Sequence, residues 1–118
     1  MKKKSPLALA RFAGRLALEK KGFDVKILKL KPLSSVCDYF VIASGEANVQ
    51  VKAIAREIYG GLADVGYKPA YREGMKEGNW ILLDYIDVVV HIFYEPTRQF
   101  YALEKLWGDA PVEQLSDK

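Results

Sequence analysis

The stretch that most restricts how this 118-residue chain can fold is a short, almost continuous apolar run from Asp38 to Gly45, with the sequence DYFVIASG. Aromatic and β-branched residues dominate the run, which is typical of a β-strand buried on both faces. A strand covered on both faces lies inside a sheet rather than at its edge. We therefore predict that residues 38–45 form the centre of a sheet.

Three segments with helical periodicity accompany this strand. The first runs from about Pro6 to Lys21, with Ser5 as the capping residue and proline at the first helical position. The second starts near Asn48 and carries aliphatic residues at spacings of three and four, namely Val51, Ile54, Ile58, Leu62 and Val65. The third runs from about Pro96 to Trp107. The pattern predicts one helix before the strand at residues 38–45, one directly after it, and one near the end of the sequence.

Four more segments have strand-like patterns, which brings the predicted total to about five. They are Asp24 to Leu30, Tyr67 to Tyr71, Trp80 to Asp84 and Asp87 to Tyr94. Pro69 predicts an edge position for the second of these, because proline cannot donate to a sheet ladder. We expect a single α/β (α+β) domain over residues 1–107, with a mixed sheet and helices mainly on one face. Gly108, Pro111 and a polar end predict a flexible tail over residues 108–118.

The last two predicted strands have the spacing of a β-hairpin, since only Tyr85 and Ile86 separate them. A two-residue loop would place Asp84 opposite Asp87. It would also pair Leu82 with Val89 and Trp80 with His91. One hairpin face then collects only aliphatic residues: Ile81, Leu83, Val88, Val90 and Ile92. The other face collects Trp80, Leu82, Asp84, Asp87, Val89, His91 and Phe93. Because opposed carboxylates repel and resist burial, we expect the helices to leave this second face open.

An open face of this kind favours the docking of a partly basic protein, because tryptophan is a common anchor at interfaces. Two alternatives stay open from the residues alone. Trp80 also fits a partly buried core position, and an acidic pair is also typical of a solvated turn. A self-associating module is a further alternative, in which Phe93, Trp107 and the open face bury one another across a two-fold axis.

Composition narrows the class of protein further. Half of the residues are hydrophobic and 28% are charged, the balance of an ordinary globular domain. No apolar run is long enough to cross a bilayer, and the one cysteine, Cys37, cannot form an internal disulfide, so we expect a cytoplasmic protein with no membrane contact. A net charge of +3 is small for a protein that grips duplex nucleic acid.

Catalytic chemistry has weak support in the sequence. Ser44-Gly45 ahead of a helix is a general anion-binding pattern, and Asp84 with Asp87 could share a divalent cation in a nucleotidyltransferase-like enzyme. Such a pair lacks the third oxygen ligand and the basic surroundings that phosphoryl transfer requires. Cys37 and His91 form no recognisable triad and are too few for a metal site. We expect no enzyme activity, no metal and no cofactor.

Four segments of the chain resemble the ribosomal silencing factor family, also called Iojap-like proteins. They are DYFVIASG (38–45), QVKAIAREI (50–58), GNWILLDYIDVVVHIFYE (78–95) and RQFYALEKLWGDAP (98–111). With the first helix and strand, the resemblance covers nearly the whole chain. One departure is Val49, where family members commonly carry arginine.

The resemblance implies a nucleotidyltransferase-like topology without catalytic activity. It implies binding to ribosomal protein fourteen of the large ribosomal subunit, which would block joining of the small subunit and repress translation. Carried over by position, the dock comprises Trp80, Ile81, Leu82 and Asp84, with further roles for Asp87, His91, Glu95, Tyr101 and Trp107. The alternation of the hairpin conflicts with Ile81, which it places under the helices. A minor contact between Lys2 to Lys4 and ribosomal RNA, and a homodimer, also stay open.

Overall fold

The computed structural model describes residues 4–31 and 33–116. Lys2 and Lys3, which the sequence analysis considered for an RNA contact, lie outside them. The elements in chain order are α1 (Pro6–Glu19), β1 (Phe23–Lys29), β2 (Tyr39–Gly45), α2 (Asn48–Asp64), β3 (Tyr71–Glu73), β4 (Trp80–Asp84), β5 (Val88–Tyr94), α3 (Glu95–Tyr101), α4 (Leu103–Leu106) and β6 (Val112–Leu115). In this part of the chain, no helix has both the length and the apolar character needed to span a membrane.

The strands form one mixed sheet in the order β3-β4-β5-β2-β1-β6. β2 lies inside it, parallel to β5 and antiparallel to β1. Val41, Ile42 and Ala43 of β2 are fully buried although neighbouring residues point to opposite faces. The prediction of a central strand at residues 38–45 is therefore confirmed, as is the mixed α+β class of the domain.

The two long helices, α1 and α2, cover one face of the sheet. Their buried residues meet aliphatic side chains of β1, β2, β4 and β5 in what we call the helix layer: Leu9, Ala10, Ala13, Leu16, Ala17, Val25, Ile27, Val41, Ala43, Val51, Ile54, Ala55, Ile58, Leu62, Ile81, Leu83, Tyr85, Val88, Val90 and Ile92. All five aliphatic residues that hairpin alternation assigned to the helix-covered face belong to it. Helix periodicity and strand alternation thus predicted the same core independently.

The opposite face carries a second core, which corrects the expectation that it is open. We call it the second layer: Leu28, Leu30, Cys37, Ile42, Val89, Phe93, Leu103 and Ala110. Phe93 is fully buried and Val89 is 8% exposed. The cover comes from α3, α4 and the segment after them, because Leu103 and Ala110 pack on residues of β1, β2 and β5 and α3 contacts β2 and β5. The hairpin sequence contains no signal for this cover, since the covering residues lie outside it.

The hairpin register differs from the predicted one by two residues. Asp84 pairs with Val89, Leu82 with His91 and Trp80 with Phe93, so the two carboxylates are not opposite each other. A longer loop accounts for the shift, because Ile86 adopts a left-handed φ of 74° and its N–H donates to the Asp84 carboxylate at 2.8 Å. Since side chains alternate with a period of two, this shift leaves every residue on its predicted face.

Residues 108–116 also contain more regular structure than predicted. β6, within the expected flexible tail of residues 108–118, pairs antiparallel with β1 and raises the strand count to six. Arg11 and Glu113 form an ion pair at 2.9 Å that ties β6 to α1. The predicted helix from Pro96 to Trp107 is divided at Ala102, whose φ of 48° separates α3 from α4.

Candidate docking surface

A row of aromatic rings crosses the second layer and continues onto the surface. Successive ring centroids are 4.4–6.0 Å apart. We call this the aromatic row, and its members in spatial order are Phe100, Tyr101, Trp80, His91, Phe40 and Trp107. The rings come from α3, β4, β5, β2 and the segment after α4, so the fold assembles them from distant parts of the sequence. Phe40 and Phe100 were not among the residues predicted for the site.

Exposure changes along the aromatic row. Phe100 is 81% exposed and Tyr101 is 54% exposed, whereas His91 in the centre is 4% exposed. Leu106 of α4 is 76% exposed, so the two short helices present several large apolar side chains to solvent. A groove of about 480 Å³ lies between Trp80, Asn79, Glu77 and the exposed face of α3. Exposed apolar groups of this kind mark interaction surfaces when they adjoin one another.

Trp80 is half-buried. The indole therefore has a core part and a surface part, as the core and interface interpretations of this residue each predicted in part. Its ring stacks on Phe93 with centroids 4.8 Å apart, and Tyr101 lies 5.1 Å away. Its N–H donates to Nδ1 of His91 at 3.1 Å. The indole therefore packs on the second layer while part of it remains on the surface.

The charge state of His91 follows from its surroundings. Burial lowers the pKa of the imidazole from the ordinary 6.5 to about 4, because the low-dielectric interior disfavours the charged ring. The ring is therefore neutral near pH 7. Nδ1 must accept, since an indole N–H can only donate, and the proton of the neutral ring is then on Nε2. Among the described residues Nε2 is buried without a hydrogen-bond partner.

Three carboxylates lie at the end of the sheet next to the hairpin loop. Asp38, Asp84 and Asp87 are near enough to the thiol of Cys37 to act on it electrostatically, and Asp87 is exposed. Burial and, after it, these negative charges raise the pKa of the thiol to about 11. Cys37 is therefore a protonated, buried group at neutral pH, which is unsuited to nucleophilic attack. In the part of the chain that the structure describes, none of the three carboxylates forms an ion pair.

The remaining predicted site residues are divided between the two faces. Leu82 is half-buried beside the second layer, as is Trp107. Glu95 begins α3 and accepts a hydrogen bond from Gln99 at 2.6 Å. Ile81 is fully buried in the helix layer. The alternation was therefore correct for Ile81, and the dock position that the resemblance implied for it has no exposed surface.

Arg98 is a structural residue that the sequence analysis missed. It is 3% exposed, and its guanidinium donates to both carboxylate oxygens of Glu104 at 2.9 and 3.1 Å. It also donates to the Asp24 carbonyl and the Ser44 hydroxyl, each at 2.8 Å. These bonds hold α3 and α4 against β1 and β2. The guanidinium also keeps the pKa of Glu104 below the ordinary 4.5. No sequence pattern reveals such a residue, because arginine is usually exposed.

The catalytic alternatives gain nothing from the geometry. Ser44, considered for anion binding, is fully buried and its hydroxyl is bonded to Arg98. Asp84 accepts from the loop backbone and does not face Asp87. Within residues 4–31 and 33–116 there is no group of three or more histidine, cysteine, aspartate or glutamate side chains arranged to hold a metal ion. The surface offers aromatic and aliphatic groups beside carboxylates, which is the chemistry of a protein interface.

Comparison with known proteins gives one consistent result. Residues 3–118 match the model of a family described as "Ribosomal silencing factor during starvation". The chain is 43% identical over 108 residues to the ribosomal silencing factor RsfS of Bacillus subtilis, covering 92% of each protein. A remoter relative is the mouse "Mitochondrial assembly of ribosomal large subunit protein 1", at 30% identity over 71% of this chain and 38% of the mouse protein.

A solved structure of similar fold comes from Chromobacterium violaceum. It superimposes with a TM-score of 0.86 at 32% sequence identity, and the match covers 89% of this chain and 88% of that one. The agreement extends over most of the domain, so the two chains share the fold.

Proposed function

Since the chain belongs to the ribosomal silencing factor family, we propose that it docks on the large ribosomal subunit through the aromatic row and thereby keeps the small subunit from joining. The partner we propose is ribosomal protein fourteen of the large subunit, and the place of action is the cytoplasm. The consequence is repression of translation by steric occlusion, without a chemical step.

The observation that carries this proposal is the apolar surface at the exposed end of the aromatic row. Phe100 and Tyr101 are each more than half exposed with ring centroids 5.1 Å apart, and Trp80 joins them to the second layer. Large apolar groups gain most when a partner removes them from water, and aromatic residues lose little conformational freedom on binding. The mouse relative, whose name connects it with the large ribosomal subunit, supports the choice of subunit.

The carboxylates supply the second part of the recognition. Asp84 and Asp87 lie at the hairpin end of the same sheet face and form no ion pair among the described residues. Unpaired negative charge at the rim of an apolar patch attracts a basic partner and orients it during encounter. The proposed partner is expected to be a basic protein, because a ribosomal protein also binds RNA.

The test has two stages and uses the full chain. Isolated large subunits are mixed with the protein and pelleted through sucrose, and the protein is expected to travel with them. Small subunits are then added to loaded and unloaded large subunits, and sucrose gradients measure the fraction of joined ribosomes. Loading is expected to lower that fraction. Absence of co-sedimentation, or binding that leaves joining unchanged, would contradict the proposal.

Paired variants locate the surface. Phe100→Ala together with Tyr101→Ala is expected to weaken binding by more than about 1 kcal/mol, roughly fivefold in Kd, because both rings are exposed and contribute area at the interface. The control is Val49→Ala on α2, since Val49 is 77% exposed, close to the 81% of Phe100, but lies on the helix side. Equal effects of the double variant and the control would place the dock elsewhere.

A further inference from the structure

His91 contacts Trp80 but is too deeply buried for a docking partner to reach. His91 is 4% exposed, so a docking protein cannot contact it directly. Its Nδ1 nevertheless accepts the only polar hydrogen of the Trp80 indole, at 3.1 Å. With that hydrogen bonded inside the protein, the part of the ring left for a partner is apolar.

Three contacts fix the indole in one orientation. Phe93 stacks under it at 4.8 Å, Tyr101 lies beside it at 5.1 Å, and His91 holds its nitrogen edge. Ring contacts favour offset-stacked or edge-to-face arrangements, but several orientations of an indole satisfy them. A hydrogen bond is directional, so the imidazole decides which edge of the indole faces inward.

The histidine ring is itself held by its neighbours. Phe40 meets it edge to face at 4.4 Å, and Leu82 is its cross-strand partner. The arrangement leaves the buried Nε2 without a partner among the described residues. A buried, unpaired donor is rare and disfavours folding, so its presence requires an explanation. Orientation of the indole supplies one, because the opposite tautomer would point Nδ1–H at the indole N–H and would still leave Nε2 without a partner.

We propose that His91 is a positioning residue, which fixes the Trp80 indole in the orientation that the ribosomal partner meets. This inference rests on the proposed docking function and deepens it. An indole held in place before binding loses less freedom on association, and preorganisation of this kind strengthens binding without adding a contact.

The experiment compares two substitutions of similar size. His91→Leu removes the acceptor, whereas His91→Asn retains a side-chain oxygen near the position of Nδ1. Trp107→Phe serves only to assign the two indole signals, and exchange and binding are compared with Trp107 in place. Hydrogen exchange of the indole N–H is followed by NMR in the free protein, and binding to isolated large subunits is measured by co-sedimentation.

The expected results separate positioning from mere packing. In His91→Leu, we expect indole exchange to accelerate at least about tenfold, because the hydrogen bond that protects it is absent. The same variant is expected to bind about fivefold more weakly. His91→Asn is expected to restore both values to within about twofold of the His91 protein, because an acceptor is again present.

Two results would overturn the inference. One is unchanged exchange and affinity in His91→Leu, and the other is an equal loss of affinity in both variants, which indicates a packing role only. Trp80→Ala distinguishes this inference from the proposed function. If Trp80→Ala binds large subunits as the unmodified protein does, the docking surface lies elsewhere and His91 has no docking role. If Trp80→Ala weakens binding while His91→Leu does not, the dock stands and the inference alone fails.

Discussion

The two faces of the sheet bury cores of different composition under covers of different size. The helix layer is almost entirely aliphatic and lies under α1 and α2, which have 14 and 17 residues. The second layer has Phe93 at its centre and tryptophans at its margin, and α3 and α4 above it have only 7 and 4 residues. One face is therefore a closed core, while the other combines a core with the surface that we propose as the dock.

Element length explains the difference. At 1.5 Å per residue, α1 and α2 extend about 20–25 Å, comparable to the width of a six-stranded sheet, whereas α3 extends only about 10 Å. A short helix cannot cover a wide sheet face, so rings at its margin stay in contact with solvent. Trp80 of β4 lies at that margin and is half-buried, and Phe100 and Tyr101 on α3 beside it are 81% and 54% exposed. The incomplete cover thus leaves part of the proposed docking surface exposed.

Substitutions of two neighbouring residues of β4 give the strongest test of the difference between the two faces of the sheet. Ile81 points into the helix layer and Leu82 lies beside the second layer, and replacement by alanine removes three carbons from each. Ile81→Ala is expected to lower the free energy of unfolding by about 3–4 kcal/mol, because a closed core cannot collapse around the cavity. Leu82→Ala is expected to lower it by about 1 kcal/mol, since the side chain is only half-buried.

Urea denaturation measures the stability of both variants, and co-sedimentation with large subunits measures their binding. The ranking is expected to reverse in the second assay, where only Leu82→Ala weakens binding of the folded protein. Similar losses of stability in the two variants would mean that the second layer is as closed as the helix layer.

Acidification provides a smaller test that acts on the second layer alone. In the folded protein the pKa of His91 is about 4, below the ordinary 6.5. Between these two pH values His91 is protonated in the unfolded chain but neutral in the folded protein, so acid favours unfolding. Stability is therefore expected to fall by about 2 kcal/mol between pH 7.5 and pH 5 and to level off near pH 4 as far as His91 is concerned.

Urea denaturation at each pH measures this loss, and His91→Leu is the control that should remove it. Titration of Glu104 and Glu113 contributes little to the stability change between pH 7.5 and pH 5. Their pKa values are lowered from the ordinary 4.5, so the stability that they contribute is lost mainly below about pH 5. A His91→Leu variant with the same loss between pH 7.5 and 5 would show that another group titrates.

The smallest expected effect concerns charge at the rim of the second layer. Asp84→Asn removes the negative charge but keeps an oxygen that can accept the Ile86 N–H. Association with large subunits is expected to slow by about two- to fivefold at low salt and by much less at high salt, because a rim charge mainly steers encounter. Asp64→Asn, at the end of α2, is the matched control. Stopped-flow mixing measures both, and equal slowing of Asp84→Asn at both salt concentrations would exclude steering.

Local patterns predicted the helix layer well, for identifiable reasons. The run at residues 38–45 has to be covered on both faces, and it forms the inner strand β2. Spacings of three and four gave α1 and α2 to within about two residues of their ends, the usual uncertainty of such boundaries. Ile81 and Leu82 lie on the opposite faces predicted for them although the hairpin register is shifted by two residues, because side chains of a strand repeat every second position.

The second layer was predicted poorly because it depends on contacts between distant segments. Burial of Arg98 requires Glu104, Asp24 and Ser44 to converge from three parts of the chain. The loop at Ile86 and the break at Ala102 both use a left-handed φ that residue preferences disfavour. The candidate site could therefore be predicted as a patch around Trp80, but not as a row of rings that includes Phe40 and Phe100.

The position of β6 has a consequence for how the chain avoids self-aggregation. Without β6, the strand β1, with its buried Val25, Ile27 and Leu28, would end the sheet and offer unpaired peptide groups to other chains. β6 replaces that edge with a four-residue strand carrying Glu113 and Gln114. Because β6 is made more than eighty residues after β1, this edge of β1 stays unpaired in a nascent chain until β6 has been synthesised.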